Sequence, residues 1–107
     1  MVYITEAHPT DVWQTESNAR DKVLFASPRN LDERASIAGS CVRKLGIEIP
    51  AILDEFGNST ETAYTAWPDR LYLIDATGRI AYKSKPGPFG FNPNDLQAAM
   101  RRHGIVP

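Results

Sequence analysis

The chain has 107 residues, 42% of them hydrophobic and 23% charged, with a formal net charge of -1. That size and balance fit one globular domain, residues 1–107, and exclude recognition of nucleic acid or anionic membrane through bulk charge. No stretch is long enough to cross a bilayer and no basic-then-apolar leader opens at Met1, so a soluble, cytoplasmic protein is expected, and Cys41, His8 and His103 are too few for a metal cluster or an internal disulfide.

In chain order, Met1 to His8 reads as an extended apolar run. Side chains alternate across a strand, so Glu6 and His8 are expected on one face, a carboxylate and an imidazole able to pass a proton. Pro9 and Thr10 break the run, and a polar stretch carries Trp13 toward Val23, Leu24 and Phe25, which do not read as a core strand. Asn30 with Glu33 forms a capping box, and Leu31, Ala35, Ala38, Val42 and Leu45 recur at helical spacing up to Gly46. Ile49, Ala51, Ile52 and Leu53 predict a short buried strand closed by Asp54, and Glu61 to Trp67 a brief polar helix. Arg70 to Asp75 and Arg79 to Lys83 flank Ala76-Thr77-Gly78 as a β-hairpin. The Pro86-Gly87-Pro88 segment, with Phe89 and Phe91, predicts irregular structure. Asn92 with Pro93 starts a last helix through Leu96, Ala99 and Met100, closed by Gly104.

Strand, helix, strand, short helix, hairpin, helix is an α/β order whose sheet mixes parallel and antiparallel pairs. Several segments are similar, in register, to one family. Val2 to His8 with Asp11 and Trp13, Arg29 to Arg34, and Asn58-Ser59 leading to Ala63-Tyr64 all match. So do Asp69 to Ile74, Gly78 to Lys83, and Gly87-Pro88 before Asn92-Pro93. Together these resemble the iodothyronine deiodinases, selenoenzymes of thioredoxin-like fold, over nearly the whole chain.

The resemblance implies reductive dehalogenation. In the family a selenocysteine, or a cysteine in relatives, ends the preceding strand and attacks iodine on an iodothyronine, and an external thiol regenerates it without a bound cofactor. Carried over by position, Glu6, His8 and Asp69 are the expected catalytic residues and Tyr3 lines the site. Pro28 stands where the family has a hormone-gripping histidine, and Pro86 where it has a basic residue. Neither proline side chain donates a hydrogen bond, so Lys85 is the charge expected near substrate. The resemblance also sets Met1 inside the family's second strand, so the nucleophile-bearing β-α unit is expected to be missing and this chain inactive alone. Its bared sheet edges are then expected to pair directly, dimerise or exchange strands with a partner. A non-catalytic interaction domain is the other class the sequence allows. Cys41, mid-helix among apolar neighbours, reads as a packing residue rather than a substitute nucleophile.

Overall fold

The computed structural model describes residues 1–6, 9, 11, 16, 20 and 25–105. They form a mixed α/β arrangement of thioredoxin-like type in two compact units, Met1–Ala63 and Tyr64–Pro107.

In the first unit β1 (Val2–Tyr3) pairs in parallel with β2 (Ile52–Leu53), with Val2 opposite Ile52 and Tyr3 opposite Leu53. Parallel pairing needs a crossover, and helix α1 (Leu31–Lys44) lies between the two strands in sequence. Asn30 is extended and its Oδ1 accepts the Glu33 N–H at 2.8 Å. The Glu33 carboxylate reaches back to the N–H of Arg29 at 2.6 Å and to its guanidinium at 2.7 Å, so the capping box closes one residue upstream of its usual position. At the other end Gly46 takes a positive φ of 62°, and Ile47 N–H returns to the Val42 carbonyl at 3.0 Å, the left-handed close of a Schellman turn.

Three expectations need correction here. The opening run is a strand only at Val2–Tyr3, so Glu6 lies beyond it and the alternation argument does not place it; His8 and Trp13 lie outside the described residues. β2 spans two residues and Ile52 is 67% exposed, not buried. Helix α2 runs over Ser59–Tyr64 rather than from Glu61 to Trp67, because Thr65 turns to a positive φ of 47° and ends it.

In the second unit β3 (Tyr72–Ile74) pairs antiparallel with β4 (Ile80–Lys83), as the hairpin pattern predicts. Asp75 Oδ1 accepts the N–H groups of Thr77 at 2.9 Å and Arg79 at 3.0 Å, and Gly78 supplies the turn's positive φ of 84°. Helix α3 (Pro93–Arg102) packs on both strands. Asn92 caps it, Pro93 occupies its first turn, and His103 ends it beside the basic Arg101 and Arg102, where the helix dipole favours cations. Leu96, Ala99 and Met100 share its inward face, with Ala99 wholly buried.

Among the described residues Ala99 is the only buried hydrophobic side chain; the other deeply buried ones are Arg34, Asp54 and Ser84. Along the apolar stripe of α1, Leu31 and Leu45 are exposed, and Ala35, Ala38 and Val42 border a cavity of about 340 Å³ facing Tyr3 and Leu53. Periodicity therefore specifies the helix without ensuring that its apolar face is covered.

Candidate functional site

Glu6 is held in a part-buried ion pair. Arg34 Nε donates to Glu6 Oε1 at 3.1 Å, and the two side chains are 3% and 9% exposed. Arg34 projects from the first turn of α1 and is fixed at two further points. Its Nη1 donates to the Glu55 carbonyl at 2.8 Å, and its guanidinium carbon lies 5.2 Å from the centre of the Phe56 ring. Tyr3, half-buried on β1, completes the group. Burial pushes its phenol well above the ordinary tyrosine value and the Glu6 carboxylate pushes it further, so the hydroxyl stays protonated at any physiological pH.

The loop after β2 supports this cluster. Asp54, 2% exposed, accepts N–H bonds from Glu55 at 2.8 Å, Thr60 at 3.0 Å and Glu61 at 2.9 Å. Desolvation opposes its charge, but these backbone donors outweigh it and hold the carboxyl below its ordinary value. Asp54 thereby caps α2 and fixes the Glu55 carbonyl that anchors Arg34. Thr5, next to Glu6, donates its hydroxyl to Glu61 on α2.

Asp69 and Lys85 belong to the second unit. Beyond the hairpin's paired strands, Ser84 N–H donates to the Leu71 carbonyl at 2.9 Å, Leu71 N–H to Ser84 Oγ at 2.9 Å, and Gly87 N–H to the Asp69 carbonyl at 3.0 Å. This extended pairing presses the Asp69 side chain against Gly87 so closely that a Cβ on Gly87 would lie 2.0 Å from a carboxylate oxygen. Asp69 Oδ1 is buried and accepts no hydrogen bond among the described residues. Lys85 is exposed, and its carbonyl accepts the Ser84 hydroxyl at 2.9 Å.

The order of elements, the strand, helix and hairpin registers, and the carboxylates at residues 6 and 69 can be set beside known proteins. The profile of the family described as Iodothyronine deiodinase matches residues 1–104. The chain belongs to the iodothyronine deiodinase family. A type I iodothyronine deiodinase of Xenopus laevis is 31% identical over 95% of this chain and 38% of its own length. Thyroxine 5-deiodinases of Sus scrofa and Homo sapiens are 33% and 32% identical, covering 96% and 100% of this chain but 32% and 35% of theirs. The chain thus spans about a third of the length of the curated deiodinases it matches.

Against the deiodinase pattern, the structure brings Tyr3 and Glu6 together and adds Arg34 and Asp54, which sequence reasoning missed. Charged residues are expected at the surface, and nothing local to Arg34 or Asp54 marks either as buried. Pro28 lines an open cavity of about 520 Å³ with Asp11, Ser27, Arg29 and Glu33. Cys41 is half-buried in mid-α1. Burial raises its thiol above the ordinary value, against Lys44, and Glu6 raises it further, which disfavours the thiolate a nucleophile needs. No helix among the described residues is long and apolar enough to cross a membrane.

Proposed function

We propose that this chain carries the proton-delivering side of a deiodinase-type active site, acting in reductive dehalogenation of an iodinated aromatic. A selenolate or thiolate from outside these 107 residues attacks iodine. The carbon–iodine bond breaks, iodine leaves on selenium or sulfur, and the ring carbon takes a proton by way of the Glu6–His8 pair. An external thiol then displaces iodide to form a mixed selenenyl sulfide or disulfide with the nucleophile, and a second thiol releases that sulfur as the external disulfide and regenerates the selenolate or thiolate, so no bound cofactor is required. Tyr3 contacts substrate. The observation that carries the reading is the enclosed Tyr3–Glu6–Arg34 cluster, whose carboxylate is sequestered rather than left as a solvated strand end.

The test is to splice the strand–nucleophile–helix segment of the pig thyroxine 5-deiodinase ahead of Met1 and measure iodide release with dithiothreitol, offering thyroxine and 3-iodotyrosine. Iodide release from either that exceeds release by the unspliced chain, and is lost in His8→Ala, supports the reading. A spliced chain that folds and releases none overturns it.

A second reading has its own support. Val2 and Ile52 are register partners on the β1–β2 pair, and both are exposed. Neighbouring apolar side chains on so short a sheet favour an interaction or oligomerisation domain with a second copy as partner.

A further inference from the structure

We propose that Arg34 is a positioning residue: it clamps the Glu6 carboxylate as a hydrogen-bond acceptor, so that in the dehalogenation proposed above Glu6 orients the proton donor and does not itself donate. The inference rests on that reading for its chemistry and on geometry for its core. The Arg34 guanidinium is held on three sides, by Glu6 Oε1 at 3.1 Å, by the Glu55 carbonyl at 2.8 Å, and by the face of Phe56 at 5.2 Å. A planar cation fixed in this way has little freedom to turn, and it presents a directed N–H to the carboxylate. Glu6 in turn has few ways to move, because it is nine-tenths buried. Ionisable groups around it among the described residues include Tyr3 from β1 and Arg34 and Cys41 from α1, with Lys44 near Cys41. Of these, Arg34 is the cation that reaches a Glu6 oxygen, at 3.1 Å. A carboxylate spending one oxygen on a guanidinium is suited to accept from a second donor and thereby set that donor's direction. An oxygen already accepting from a guanidinium N–H is placed to orient a donor rather than to deliver a proton.

A purely structural Arg34, present to pack Phe56 and satisfy the Glu55 carbonyl, would leave Glu6 uninvolved, and the two roles separate experimentally. In the intact 107-residue chain, Arg34→Met strands the Glu6 carboxylate in a buried site without its cation. Its protonated form is then favoured by folding, so the variant's melting temperature, measured against that of the wild type at each pH, should rise as pH falls from about 8 to 5. Glu6→Gln in the Arg34→Met background should abolish that trend and recover melting temperature relative to Arg34→Met alone. Losses that simply add, with no pH trend in Arg34→Met, overturn the clamp. Arg34→Lys keeps the charge without the fork and should fall between wild type and Met; should Arg34→Met fail to fold, Arg34→Lys with and without Glu6→Gln answers the same question.

In the spliced enzyme, Arg34→Met and Glu6→Gln should each lower kcat tenfold or more with KM within threefold, and the double variant should fall no further, the behaviour of residues that act as one unit. Multiplicative losses would overturn the positioning role. Should the spliced wild type release no iodide, the deiodinase reading falls while the melting series still decides whether Arg34 holds Glu6.

Discussion

Asp54 is the largest side chain wholly buried among the described residues, and a carboxylate survives there because three backbone N–H groups converge on it. Asn58 stands next to α2 where a cap would ordinarily sit, yet its Oδ1 is buried and accepts nothing among the described residues. The cap is therefore delivered from Asp54, through Thr60 and Glu61. Asp54→Ala should destabilise the chain by about 2 kcal/mol at neutral pH, because it leaves buried donors unpaired. The sign of the pH dependence follows from the lowered carboxyl. The ionised form is favoured by folding, so its contribution is complete above the ordinary carboxylate value near about 4 and is lost as pH falls through the lower folded value. Urea unfolding of wild type and Asp54→Ala should show the gap closing between about pH 5 and about pH 2. A gap that stays constant would mean the charge contributes nothing. Neither Asp54 nor Arg34 was legible in the sequence as a buried residue. A lone carboxylate after a strand and an arginine in a helix's first turn both read as solvated groups, and only the convergence of distant backbone donors and acceptors makes their burial tolerable.

At the scale of elements, legibility follows the range of the forces. α1, α3 and the hairpin were predicted from residues within a few positions of one another: Asn30 and Glu33 at one helix start, Asn92 and Pro93 at the other, Asp75 and Gly78 at the turn. β2 and α2 were misplaced in length or start because their limits depend on partners far along the chain. β2 exists where Ile52 and Leu53 meet Val2 and Tyr3, and α2 starts where Asp54 can reach. Of the two candidate carboxylates, Asp69 was named from family resemblance and Glu6 from the alternation of an extended run, but Glu6 was expected on a strand face and is instead held by a helix. The local signals are also the ones whose removal has a calculable cost. Asn30→Ala should lower the stability of the first unit by about 1 kcal/mol, the usual loss when a helix N-cap oxygen is removed. It should act without altering α3, whose cap is independent. Amide exchange checks both points: protection should drop at the start of α1 and stay unchanged at Asp95 and Leu96. Equal losses at both helices would show that the caps are not local.

At the scale of the molecule the governing fact is how little apolar surface the described residues enclose. Among the described residues one alanine is the sole buried hydrophobic side chain, while Met1, Val2, Ile49 and Ile52 are exposed in the first unit. Val2 and Ile52 stand side by side across β1 and β2, which makes the patch continuous rather than scattered. Exposed apolar groups so placed gain by burial, at roughly 25 cal/mol per Å² of apolar area removed from water. A second copy presenting the same patch offers that gain through a two-fold contact. Sedimentation equilibrium over a hundredfold range of protein concentration should therefore detect a reversible dimer. Ile52→Glu should shift it to monomer by setting two carboxylates against each other across the contact. The variant should fold as well as the wild type, since its side chain replaces one already 67% exposed, and far-ultraviolet circular dichroism checks that. A wild-type chain that remains monomeric throughout, or a dimer that Ile52→Glu leaves intact, would remove this surface as the contact and leave the enclosed Glu6–Arg34 cluster as the feature through which the chain acts.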